Sequence, residues 1–298
     1  MNLLITGAWN GAKDNIEYIS NMGYRVSFLQ NEKDELPLPY EEVDYVICNG
    51  LFLYHDINKF TNLKFIQLTS AGFDRVPMDI VEKRGIKTFN ARGVYSIPMA
   101  EYALCGVLEL YKKSRFFYGN QKENAWVKNR DVMEVFGKKV LVVGAGNVGT
   151  ECAKRFSAFG ARVRGVDLFT REDPYYEKIS HLSELKSELS DADVIVLTLP
   201  LTNETRHLFG KDAFDNMKKG AVLVNIARGA VVDTDALIDA LRAEFLSGAV
   251  LDVFEEEPLS ESAPLWSMKN VIVTPHNSFI GDGNGERLKK VIIDNLRS

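Results

Sequence analysis

Gly144, Gly146 and Gly149 fall as GxGxxG inside "KKVLVVGAGNVGTECAKRF", between a β-branched run and a helical pattern. The chemistry this spacing serves is the binding of a dinucleotide. Gly144 permits the tight turn, Gly146 lets a pyrophosphate approach the backbone, and Gly149 lets helix and strand pack closely. Amides at the helix start then face the phosphates, where the helix dipole favours anions. The next run, "ARVRGVD", ends in Asp167, whose carboxylate can accept both ribose hydroxyls of the adenosine half and would repel a 2′-phosphate. NAD is therefore expected over NADP, with Arg171, four residues on, tempering the preference. A glycine turn in an α/β fold with no ligand is the competing reading.

Three later runs also end in polar residues. "AVLVNIARG" ends at Arg228, "GAVLDVFEEEP" at three glutamates, and "NVIVTPH" at His276. Ligands of open α/β sheets bind outside the carboxyl ends of the strands, so these residues could meet at one crevice. Each alone has a plainer explanation. An arginine at a strand end is commonly a surface ion pair, Asp252 could cap a turn, and a run such as Glu255-Glu256-Glu257 is usually a solvated face.

The elements that must position these residues alternate along nearly the whole chain. "NLLIT", "RVSFL", "DYVICN", "KFIQLTS" and "IKTFN" read as strands. A second series, "KKVLVVG", "ARVRGVD", "DVIVLTL", "AVLVNIA", "GAVLDVF" and "NVIVTPH", follows. Strands alternating with helical patterns predict parallel sheets covered on both faces. Between the series, Tyr95 to Phe117 has spacing suited to one long helix, with Pro98 tolerated in its first turn. The expected fold class is α/β, with two doubly wound parallel-sheet domains. A flavodoxin-like substrate domain is expected over residues 1–94, completed by the helical pattern within 277–298, and a Rossmann NAD-binding domain over 95–276. An earlier glycine stretch, "LLITGAWNGAKD", is GxxxG and is followed by a strand without a terminal acid, so the first domain lacks the dinucleotide signature.

Composition narrows the functional classes. A length of 298 residues with 46% hydrophobic and 26% charged residues suits two globular domains. A net charge of -5 without a long basic run argues against a nucleic-acid partner. No apolar stretch approaches a membrane span, and the start reads as strand and turn, not as a signal peptide. Cys48, Cys105 and Cys152 are far apart and in no CxxC pair, so they are expected as reduced, buried thiols of a cytoplasmic protein, with no disulfide frame and no metal site.

Taken in order, "LKFIQLTSAGFD", "NARGVYSIPMAEYAL", "GAGNVG", "LTLPLTNETRHLF", "NIARGAVVDTDAL", "LDVFEEEPL" and "VIVTPHNS" resemble the D-isomer-specific 2-hydroxyacid dehydrogenase family over nearly the whole chain. That family includes phosphoglycerate dehydrogenases and glyoxylate/hydroxypyruvate reductases. The resemblance implies hydride transfer between NAD and a D-2-hydroxy acid/2-keto acid pair. It implies that Arg228 holds the substrate carboxylate and carbonyl oxygen, for which its fork is suited, and that His276 is the acid/base. Glu257, the glutamate before proline, would bind the far side of that imidazole and orient it. Asp252 would lie near the nicotinamide carboxamide. Asn147, Val148, Leu199, Pro200, Ile226 and Ala227 join the glycines as cofactor contacts, and the amides of Ser70, Ala71 and Gly72 would receive the substrate carboxylate. A homodimer formed through the cofactor domain is also implied, with the Tyr95–Phe117 helix in its interface.

Two departures bear on the substrate. The histidine is followed by "NSF", and "NARGVYS" replaces a proline-glycine turn, placing Arg92 where it could meet a second anionic group or a hinge acid. Arg75, Tyr54 and His55 raise the same question, while His181 and His207 are expected to have local roles. No regulatory segment is expected after the final helix. A rival from another class is an NADH-sensing, co-repressor-like interaction protein, which a pull-down without catalysis would favour. Formate oxidation is disfavoured by Glu257, which stands where that branch carries glutamine.

Overall fold

The computed structural model describes residues 1–298. Its backbone contacts separate two compact units, one of residues 1–95 with 281–298 and the other of residues 96–280.

The first unit holds β1 (Asn2–Thr6), α1 (Ala12–Asn21), β2 (Arg25–Leu29), β3 (Tyr45–Cys48), β4 (Phe65–Leu68), α2 (Met78–Arg84) and β5 (Lys87–Phe89). The strands are parallel, in the order β2-β1-β3-β4-β5, which is the flavodoxin-like arrangement. Residues alternate between two apolar layers: Leu3, Ile5 and Ile47 face one, and Leu4, Val46 and Cys48 the other. Strands buried on both faces need near-continuous apolar sequence, and "LLI" and "VIC" supply it.

The second unit opens with α3 (Ser96–Tyr111) and α4 (Ser114–Lys122), followed by β6 (Lys139–Val143), α5 (Asn147–Ala158), β7 (Arg162–Asp167), β8 (Lys178–His181), α6 (Leu185–Leu189), β9 (Val194–Leu197), α7 (Lys211–Asp215), β10 (Val222–Asn225), α8 (Thr234–Arg242), β11 (Gly248–Leu251) and β12 (Val271–Val273). The seven parallel strands run β12-β11-β10-β9-β6-β7-β8. Strand order reverses between β6 and β9, with β6 to β8 running one way across the sheet and β9 to β12 the other, which makes the switch point at which doubly wound sheets bind ligands. Leu141, Val143, Ile195 and Leu251 fill one side of this sheet, and Val140, Val142, Val196 and Val250 the other. The last helix, α9 (Asn284–Leu296), belongs to the first unit, where Leu288, Ile292, Ile293 and Leu296 join the layer of Leu3 and Ile5.

Three readings of the sequence are corrected. The single helix from Tyr95 to Phe117 is two helices, because Lys113 takes a left-handed conformation at φ 55°. The Met133 amide occupies the Tyr111 carbonyl at 2.9 Å and the Lys112 ammonium bonds the Met133 carbonyl at 2.8 Å, so a distant segment caps the first helix. The edge strand β8, "KISH", is additional. Of the three cysteines, none of which is in a disulfide, Cys105 is exposed. Burial pushes the Cys152 thiol up to about 12 and that of Cys48 well above its ordinary value. No helix is long and apolar enough to cross a membrane.

Candidate active site

The glycine motif lies where β6 hands over to α5. Gly144 takes φ 100°, and a Cβ there would lie 2.6 Å from the Leu199 amide nitrogen. A Cβ on Gly149 would lie 2.1 Å from the Gly144 carbonyl oxygen, so the helix can meet the turn only with glycine at that place. Around Gly146, by contrast, the Cβ direction is open for 4 Å. This glycine marks the N-terminus of α5, and no side chain caps it. The first amides of a helix have no intrahelical acceptor, so those of Asn147, Val148 and Gly149 are suited to phosphate oxygens. A pyrophosphate therefore fits here.

Asp167 ends β7. Its Oδ2 accepts the Ala145 amide at 2.7 Å and its Oδ1 the Leu168 amide at 2.7 Å. Oδ1 also accepts the Phe169 amide at 3.4 Å, so the second lone pair of Oδ2 is what leaves acceptor capacity for a ribose hydroxyl. Arg171 turns back on the loop, bonding the Ala145 carbonyl, the Thr150 hydroxyl at 3.3 Å and Asp173 at 3.7 Å. Leu199, Ile226 and Ala227 are buried in the apolar layers, whereas Pro200 is exposed. Leu199 meets the glycine turn through its backbone.

β10, β11 and β12 are neighbours in register, and the polar residues that follow them are drawn together by short-range packing. Gly229 is the residue that permits this. A Cβ on it would overlap the Phe254 carbonyl carbon at 1.8 Å, so the Arg228 turn rests against the backbone of Phe254 and Glu255. The Arg228 guanidinium is half-buried and bonds the Ala227 carbonyl at 2.7 Å.

Glu257 divides its two oxygens. One accepts the Phe254 amide at 3.0 Å, and the other meets His276 Nδ1 at 2.8 Å. His276 takes φ 51°, and its amide donates to the Asp252 carbonyl at 2.8 Å and to the Thr274 carbonyl at 3.1 Å. Asp252 has no exposed surface. Its carboxylate accepts the Thr274 hydroxyl at 2.6 Å, the Asn277 amide at 2.8 Å and the Ser278 amide at 2.9 Å. With the threonine proton given to Asp252, the Tyr102 hydroxyl is the donor in its 2.5 Å bond to Thr274 Oγ1. Burial pushes the Tyr102 phenol up to about 12, keeping it protonated. Asp252 thus clamps the segment carrying His276, and Tyr102 on α3 steadies the clamp.

Sequence reasoning missed Gly229, Tyr102 and Thr274, and the local role expected of His207 is corrected, since its ring bonds Glu255 48 residues away. Gly229 had a legible signal, a glycine directly after a polar strand end. The other two act through partners 22 to 172 residues away, and no local pattern marks them. Glu255 is not simply solvated, since it bonds His207. His181 caps a turn through Ser183 and Glu184. His55 is buried, with both ring nitrogens engaged by Tyr40 and the Glu32 carbonyl at 2.9 Å each.

In the first unit, Ser70, Ala71 and Gly72 form the loop after β4. The Ala91 amide bonds the Ser70 carbonyl at 2.8 Å and the Asn90 amide group bonds the Ala71 carbonyl at 2.5 Å. The Ser70 hydroxyl donates to the Gly72 carbonyl at 3.1 Å. Arg92 is exposed, and its amide donates to the Asn90 side chain at 3.2 Å.

A dinucleotide cradle at the switch point, with an imidazole–carboxylate pair farther along the same sheet edge, defines a pyridine-nucleotide oxidoreductase. The family model described as "D-isomer specific 2-hydroxyacid dehydrogenase, NAD binding domain" matches residues 104–278. A D-3-phosphoglycerate dehydrogenase of Archaeoglobus fulgidus is 37% identical over 216 residues, 72% of this chain and 41% of that protein. A glyoxylate reductase of Pyrococcus horikoshii is 33% identical over 247 residues, 78% of this chain and 72% of the relative. The solved structure of a D-isomer specific 2-hydroxyacid dehydrogenase family protein from Aeromonas salmonicida superposes with a TM-score of 0.85 at 29% identity, covering 99% of this chain and 94% of that one. The chain belongs to the D-isomer specific 2-hydroxyacid dehydrogenases, NAD-dependent oxidoreductases of 2-hydroxy and 2-keto acids.

Proposed function

We propose that the chain reduces a small 2-keto acid to the D-2-hydroxy acid, and catalyses the reverse, with His276 as the proton-transfer group. The observation that carries this reading is the 2.8 Å contact between His276 Nδ1 and Glu257. A ring that donates from Nδ1 to a carboxylate presents Nε2 on its other side to a substrate oxygen. Bound NADH supplies the hydride. His276 donates a proton to the carbonyl oxygen as that oxygen gains charge, and Glu257 holds the imidazole in place and offsets the charge it carries when protonated. Arg228 offers a planar fork to the substrate's carboxylate and carbonyl oxygens. Ser70, Ala71 and Gly72 offer main-chain donors for the carboxylate; the amides of Ala71 and Gly72 have no acceptor within the chain. Arg92 is a candidate for a second anionic group, such as the phosphate or distal carboxylate of a larger substrate.

NAD is favoured over NADP, because Asp167 stands at the end of β7 and Arg171 is engaged by the glycine loop. A homodimer is the proposed assembly. Phe117, Tyr118 and Trp126 expose aromatic surface beside a concavity of about 790 Å³ on α4 and the segment after it. The unpaired cysteines support a reducing, cytoplasmic setting.

The test is steady-state turnover of glyoxylate, hydroxypyruvate, pyruvate and larger 2-keto acids with NADH, for the wild type and for His276→Ala. The variant is expected to lose about 10²- to 10⁴-fold in kcat with NADH affinity unchanged. A wild type that binds NADH yet reduces none of them would refute the proposal.

A further inference from the structure

The turn that carries Glu257 holds a second histidine–carboxylate pair. His207 Nε2 is bonded to Glu255 Oε1, and His207, like His276, lies in left-handed backbone at φ 51°. A residue with a Cβ seldom adopts that conformation, and it persists where the surroundings over-determine it. Here the His207 amide donates to the Ala230 carbonyl at 2.8 Å, and two residues on the Phe209 amide donates to the Val231 carbonyl at 3.0 Å. His207 is therefore tied by its backbone to the segment after Arg228 and by its ring to the segment before Glu257. Between them, Gly229 presses on Phe254 and Glu255, and the Phe254 amide is held by Glu257 Oε1 at 3.0 Å. The contacts run without a gap from His207 through Glu255, Phe254 and Glu257 to His276, with Arg228 at their side.

We propose that His207 and Glu255 are positioning residues for the reaction, fixing the turn that sets Glu257 and Arg228 in register with His276. The assignment rests on the functional reading of those three residues given above. Exposure separates this role from a structural one. The His207 side chain is 47% exposed and that of Glu255 34%, and surface pairs of this kind contribute little to global stability. Loss of the pair should therefore appear in turnover and not in melting temperature.

The experiment compares kcat, KM for NADH and melting temperature among the wild type, His207→Ala, Glu255→Ala, the double variant, Glu255→Gln and Glu256→Gln. Each alanine variant is expected to lower kcat on the order of tenfold, the scale of a small misplacement near the chemistry, with KM for NADH and melting temperature unchanged. The double variant should be no worse than either single one, because the two residues act as a unit. Glu255→Gln keeps an acceptor for the imidazole and should restore most of the rate, and Glu256→Gln, which removes only an exposed charge, should match the wild type. A His207→Ala enzyme as fast as the wild type, multiplying losses in the double variant, or losses that follow melting temperature would overturn the proposal. A wild type inactive on every keto acid would overturn the functional reading as well, which distinguishes the two failures.

Discussion

His276 holds a left-handed backbone that costs a non-glycine residue about 1–3 kcal/mol, so its place depends on what grips it. Asp252 does so with both carboxylate oxygens, engaged by the Thr274 hydroxyl and the amides of Asn277 and Ser278. Replacement by asparagine removes one of the two acceptors and puts an NH₂ group against a donor. At least one donor is then left unsatisfied at about 1–3 kcal/mol. Asp252→Asn is accordingly expected to lower unfolding stability in urea by that amount and to reduce turnover at the same time. An unchanged urea midpoint with wild-type turnover would show that the clamp is dispensable.

The second sheet is stitched at its amino ends by one acid between α6 and β9. The Asp193 carboxylate accepts the Lys139 amide at the start of β6 at 2.9 Å and the Lys218 ammonium at 2.7 Å, while its own carbonyl accepts the Val222 amide of β10 at 3.0 Å. Burial pushes this carboxyl up, but Lys218 and the Lys139 amide outweigh it and hold it below the usual carboxylate value. A group whose folded value is depressed stabilises the fold above its unfolded value, about 3.9 for aspartate. That contribution is lost as pH falls through the folded value. The stability gap between wild type and Asp193→Asn should be full at pH 7, narrow below about pH 4 and close with further acidification; a gap constant with pH in urea titrations would contradict this. Much at this scale was legible in the sequence. Eleven of the twelve strands could be read from the sequence, most plainly central ones such as β9, β10 and β11, because strands covered on both faces leave no polar positions to blur the pattern. β8 escaped because an edge strand reading "KISH" has two exposed polar ends. The break at Lys113 escaped because lysine is a good helix former, and what ends α3 is Met133, twenty-two residues beyond Tyr111. In the site, residues at strand ends could be read and the clamp behind them could not, since Tyr102 and Thr274 meet only in the folded sheet.

For the molecule as a whole, the surface of α4 and the segment after it carries the proposed dimer contact, with Trp126 97% exposed. Trp126→Glu is expected to convert a dimer into a monomer by light scattering, and a monomeric wild type would sink the assembly. The course of the chain through its two units has a different consequence. The layer containing Leu3 and Ile5 is closed by Leu288, Ile292 and Leu296, and Tyr24 and Gln67 are tied to the same helix through the Leu296 carbonyl at 2.8 Å and the Asn295 side chain at 2.7 Å. On the ribosome, where domains usually mature in the order they emerge, this sequence reverses that order. The unit begun first must wait, with one apolar face unsealed, until α9 leaves the exit tunnel, by which time all of residues 96–280 have been synthesised. The interval in which a chaperone would find exposed apolar surface on the nascent chain is therefore set by the length of the dinucleotide-binding unit.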